Sequence, residues 1–302
     1  MLTAPLTLLL LTGCGKTADT GTTPANDNTR GATDNGGPGG PGGPGGNNPG
    51  GPGTTDDTAD TGPSGPGGPG GPGDTDTGEG TSPDALLPPL NETSNGTGGA
   101  DAPSSTSLTA GTSSYLLLAP TGSASASAVC FLLVYSGTEG ATGMMSNMRQ
   151  VAPYFDLGDC LVAVLDGTTS DAADGAAVLD DVRADFDVDN DRTWLLSESA
   201  GTREGLALGL DLRQSYFAAY WANDVNAADT PALTAAALGF APWGNAGPGG
   251  DLPDATAIVD GMRDADYRLP SDAPYSGSGS TTHGSSDQFL AAVDFFADKR
   301  RE

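Results

Sequence analysis

The chain has 302 residues, with 39 acidic against 12 basic side chains and a formal charge of −27. Lysine occurs only at Lys16 and Lys299. Phosphate binding needs clustered cations, so nucleic acid and anionic membrane surfaces are excluded as natural partners, and the acidity reads as a soluble surface held far from neutrality.

At the N-terminus, Leu6-Thr-Leu-Leu-Leu-Leu-Thr-Gly-Cys14 is an apolar run too short for a permanent span and followed at once by polar sequence. Leu11-Thr12-Gly13-Cys14 resembles the lipobox of bacterial lipoproteins. The resemblance implies a signal peptide over 1–13, removed by export, and lipidation of Cys14, which anchors the chain to the cell envelope at its periplasmic face or cell surface. Residues 14–105 are almost entirely Gly, Pro, Thr, Asp, Asn and Ser, with Gly-Pro-Gly-Gly tracts at 37–46 and 65–73. So little apolar surface cannot offset backbone ordering, and the segment reads as a disordered linker or stalk.

From residue 106 to 302 short β-rich runs alternate with helical patterns, the texture of one α/β domain built on a mostly parallel sheet with helices on both faces. Strands are expected near 114–119, 128–135, 160–165, 193–198, 217–222, 235–243 and 267–273. Helices are expected at 144–155, 172–186, 202–212, 254–265 and 286–300. Cys130 and Cys160 each fall in a strand-like run, and read equally as a bridge or as two buried thiols. Trp194, Trp221 and Trp243 fall in expected strands, where core packing outweighs a stacking role. Asp187, Asp189 and Asp191 alternate, but neither a turn glycine nor a closing Glu completes a calcium loop.

The run Thr193-Trp-Leu-Leu-Ser-Glu-Ser-Ala-Gly-Thr202 places a strand, Ser199, small residues and then a helix. A serine in so tight a turn is raised above the sheet edge, with a helix N-terminus behind it for a developing oxyanion. Here the chain resembles the α/β-hydrolase family, in particular its exported esterase and depolymerase-like branch. Ser197 stands where that family carries Gly. The resemblance implies an α/β-hydrolase fold and an ester hydrolase in which Ser199 is the nucleophile and His283, the single histidine, is the base. It also implies an acid from the loop after residue 243. Gly247 occupies the place where relatives carry Asp, so Asp251 is the first candidate and Asp224, after the preceding strand, the second. Backbone N–H groups of Thr138 and Ala200 are the expected oxyanion donors, with Ser136 in the place of a family histidine. No cofactor or metal is implied. The expected partners are a small ester or polyester substrate and the lipid anchor, with the chain acting as a monomer. Two rival readings are a catalytically inactive hydrolase fold used for binding, motivated by Ser136, Ser197 and Gly247, and an envelope spacer whose stalk matters more than its head.

Overall fold

A computed structural model describes residues 87–302. The expected signal peptide over 1–13, the expected lipidation at Cys14 and the expected linker up to residue 86 lie outside the described residues. Seven strands form one sheet in the order β1-β2-β4-β3-β5-β6-β7. They are β1 (Ala102–Ala110), β2 (Ser113–Ala119), β3 (Val129–Tyr135), β4 (Leu161–Leu165), β5 (Val188–Glu198), β6 (Ala219–Asn223) and β7 (Trp243–Ala246). β1 and β2 pair antiparallel, as do β2 and β4, and every other pairing is parallel. This is the expected α/β arrangement, a mostly parallel central sheet flanked by helices on both faces.

The central strands are apolar on both sides because both sides are covered. β3, Val-Cys-Phe-Leu-Leu-Val-Tyr, is buried at every position. Phe131, Leu133 and Tyr135 point into one core, with side chains of α2 (Ala172–Asp185), α3 (Thr202–Ala207) and α5 (Leu252–Asp264). Cys130, Leu132 and Val134 point into the other, with α1 (Gly140–Val151) and α6 (Ser286–Phe296). Truncating one of these fully buried leucines to alanine costs about 2–5 kcal/mol by lost transfer energy and the cavity left behind.

Several expectations shift. A strand over 235–243 is replaced by a short helix α4 (Ala235–Leu238), capped by the Thr234 side chain and ended by Gly239 at φ 74°. Residues 267–273 contribute only a single bridge, Arg268 to Trp243. β1 was not foreseen as a strand. Residues 87–101, read from composition as linker, run along β5 and the end of α2. Thr93 bridges to Asp189, Ser94 N–H donates to Val188 O at 2.9 Å, and Thr97 N–H donates to Ala184 O at 3.0 Å. The alternating aspartates are consumed in the same seam. Asp187 accepts Asn95 N–H, Asp189 accepts Asp191 N–H, and Asp191 accepts Asn91 N–H and an ion pair from buried Arg301. Among the described residues no cluster of His, Cys, Asp and Glu could hold a metal ion.

Cys130 and Cys160 form a disulfide. The parallel register that sets Phe131 opposite Leu161 brings the preceding residues side by side, with Cα atoms 4.6 Å apart. Trp194 is buried, its indole N–H on Lys299 O at 2.9 Å. Trp243 is only partly covered, and Arg268 and Lys299 lie over its ring. Among the described residues no helix is long and apolar enough to cross a membrane.

Candidate active site

The strands β3, β5 and β6 all end at the same sheet edge, and the loops leaving them converge there. β5 ends at Glu198. Ser199 then turns the chain at φ 46°, and a single 3₁₀ turn over Ser199–Gly201 leads into α3. A non-glycine residue in the left-handed region is uncommon, and here it lifts the hydroxyl off the strand end. Space for the turn comes from Gly205 on α3. A Cβ at position 205 would meet Ser197 Cβ at 2.4 Å. The side chain of Ser197 therefore occupies room that a residue larger than glycine one turn into the helix would fill.

The loop before α6 returns to this point. His283 is exposed, and its Nε2 lies 2.7 Å from Ser199 Oγ. Two groups separated by 84 positions in sequence thus meet in direct hydrogen-bonding contact.

Asp224 follows β6, also with a positive φ, 47°, and is fully buried. Its carboxylate accepts the backbone N–H of Gly284, the residue after the histidine, and the Gln288 amide from α6. Gln288 Oε1 in turn accepts Asp224 N–H at 3.4 Å. Burial raises the Asp224 pKa, while Gly284, the neighbouring His283, Glu198 and Gln288 pull it back down. Gln288 also explains the vacancy at Gly247. A Cβ there would fall against the Gln288 amide, so a side chain at this position would displace the group that holds Asp224. Asp251 sits at the N-cap of α5, exposed, with its carboxylate on Asp254 N–H at 3.3 Å. The expectation that it serves the imidazole gives way to a helix-capping position; the carboxylate bonded to the histidine loop is Asp224.

The turn after β3 closes the other side. Ser136, buried, accepts Gly167 N–H at 3.1 Å on its hydroxyl, joining the turns after β3 and β4. A Cβ at Gly137 would stand 3.2 Å from Ser199 Cβ, which places this turn directly against the serine. The Gly137 N–H is taken by Glu139 Oε1 at 3.0 Å. Thr138 is exposed between them, and Ala200, partly exposed, opens the turn into α3. An open cavity of about 370 Å³ adjoins this turn, lined by Ala200, Arg203, Asn226 and Asp229.

Two carboxyls share the floor of the site. Glu198 is buried next to Asp224, and loss of hydration together with the Asp224 charge pushes its pKa well above the ordinary carboxyl value. No role for Glu198, the second residue of Ser197-Glu-Ser-Ala-Gly201, is legible in the sequence, because burial is not visible in a string.

No protein-family model matches the sequence, and no curated protein matches it. Among solved structures the chain is similar to a thermostable esterase, with a TM-score of 0.49 and 11% identity over 66% of this chain and 63% of that one. It is also similar to an ester hydrolase from the metagenome of Lake Arreo, with a TM-score of 0.45 and 16% identity over 70% and 82% of the two chains. A third is the feruloyl esterase module from Clostridium thermocellum, with a TM-score of 0.42 and 12% identity over 72% and 90%. The chain spans 63% of the length of the first of these.

Proposed function

We propose that this chain is a serine hydrolase of carboxylic esters, with Ser199, His283 and Asp224 as its catalytic residues. The observation that carries the reading is the 2.7 Å contact between Ser199 Oγ and His283 Nε2 at the sheet edge. Ser199 Oγ bonds to the acyl carbon while its proton passes to His283 Nε2. The tetrahedral oxyanion collapses, the ester C–O bond breaks, and the imidazolium returns that proton to the departing alkoxide. Water, deprotonated by the same nitrogen, attacks the acyl-serine and releases the acid, restoring the serine.

Asp224 stabilises the imidazolium that forms twice in each cycle, and is assigned this role over Asp251 because it holds the loop that carries His283. The N–H groups of Thr138 and Ala200 are assigned to the oxyanion, which the adjacent turns at Gly137 and α3 support. The cavity beside Ala200 suits a small acyl or alkoxy group. The Leu11-Thr12-Gly13-Cys14 motif supports lipidation at Cys14, which would tether the enzyme to the envelope on its polar linker.

The test is a panel of short- to long-chain acyl esters. Wild type is expected to hydrolyse part of the panel, and Ser199→Ala and His283→Ala each to lower kcat by about 10⁴-fold or more. Hydrolysis that survives both substitutions would overturn the assignment.

A further inference from the structure

The end of the β5–β6 pair holds a chain of hydrogen bonds whose direction is fixed. It begins at Trp221 Nε1, which can only donate and meets Asn223 Oδ1 at 3.1 Å. That fixes the Asn223 amide, so its nitrogen faces Glu198 and donates to Glu198 Oε2 at 2.6 Å. Oε2 is thereby an acceptor. Glu198 also makes a side-chain hydrogen bond to Asp224, which already accepts from Gly284 N–H and the Gln288 amide. Two carboxyl groups cannot bond to each other unless one carries a proton. Asp224, with two other donors and His283 beside it, is the better anion. Glu198 has one donor, no ion pair among the described residues, and Glu139 nearby to disfavour a second negative charge.

The arrangement follows from where the acid stands. β5 and β6 are adjacent parallel strands, with Glu198 opposite Asn223. An acid placed immediately after β6 is therefore delivered against the residue that precedes the nucleophile. An acid on the loop after β7 would be one strand further away, and Glu198 would have no carboxylate to face.

We infer that Glu198 is a positioning residue, a neutral carboxylic acid whose O–H donates to Asp224 and fixes the carboxylate that serves His283. This rests on the triad assignment for its catalytic consequence, but its protonation is a property of the fold alone. The charged groups facing Glu198 are Asp224 from the end of β6 and Glu139 from the turn after β3, with His283 on the far side of Asp224.

Two measurements test it. In the first, the carboxyl ¹³C resonance of Glu198, assigned by its disappearance in Glu198→Gln, is followed between pH 4 and pH 8. It is expected to keep its protonated position at neutral pH, and titration at the ordinary glutamate value would overturn the inference, whether or not the protein is a hydrolase. In the second, kcat is compared on whichever ester wild type cleaves. Glu198→Gln retains an N–H donor and is expected within about threefold of wild type, whereas Glu198→Ala is expected to fall at least tenfold with KM changed less than twofold. Equal loss in both variants, or none in either, overturns the donor role. Wild type without hydrolysis, beside a protonated Glu198, would instead count against the triad assignment and leave the buried acid pair standing.

Discussion

A carboxylate completely removed from water has to be compensated by donors, and Asp224 has them from a backbone amide, a side-chain amide and a neighbouring acid. Asp251 has one backbone amide and open solvent. The two sites predict opposite outcomes. Asp224→Asn keeps the size of the side chain but removes the charge that stabilises the imidazolium, and kcat on an ester should fall by about 10³- to 10⁴-fold. Asp251→Ala removes a helix cap, so unfolding free energy should drop by about 0.5–2 kcal/mol with kcat unchanged. Denaturant titration and steady-state kinetics on both variants separate the assignments, and a loss of kcat confined to Asp251→Ala would reverse them. Ser199 and His283 stand out in the sequence because one sits in a strand-turn-helix setting and the other is the sole imidazole. The acid does not. Asp251 lies in a loop of the right length, and its other feature, Asp254 three residues on, is a capping signal that competes with the catalytic reading.

At the scale of elements, legibility tracks burial. β3, β4 and β6 are near-continuous apolar runs, because strands covered on both faces have no polar side to show, and their positions follow from that alone, whereas the polar start of β5, Val188-Asp-Asn-Asp-Arg192, hides the first half of that strand. β1 is an edge strand, Ala-Pro-Ser-Ser-Thr-Ser-Leu-Thr-Ala, largely exposed, so its composition resembles the linker that precedes it. Residues 235–238 mislead in the other direction. The run Ala-Ala-Ala-Leu next to Gly-Phe reads as apolar strand, although Thr234 before it and Gly239 after it mark a one-turn helix. The cysteines were ambiguous for a similar reason, since lateral pairing depends on register and not on spacing. With the register known, the bridge closes a loop at a sequence separation of 30. Loop-closure entropy for that size gives about 3–4 kcal/mol of stabilisation. The Cys130→Ser/Cys160→Ser variant should therefore unfold at lower denaturant than oxidised wild type by this amount, and unchanged midpoints would show that the bridge constrains little.

Over the whole described region, two of the ties between residues distant in sequence carry a prediction or the site itself. Arg301, nearly the last residue, is buried on Asp191 and on the carbonyls of Pro89 and Ser215. It joins the start of the described chain to β5 and the chain's end, and removing one partner of such a pair leaves an uncompensated buried charge. The second tie is at the candidate site, where β5 presents Ser199 and the loop before α6 returns His283 to it. The outline of this fold, alternating strands and helices with a nucleophile turn in the middle, is written in local pattern. The contact between Ser199 and His283 depends on the sheet order that brings their loops to one edge. The most direct measurement is covalent labelling of the intact folded protein with a fluorophosphonate, followed by mass mapping of the adduct. A single adduct on Ser199, lost in Ser199→Ala and strongly slowed in His283→Ala, is the predicted result, and a well-folded protein that takes no label at Ser199 would contradict the account.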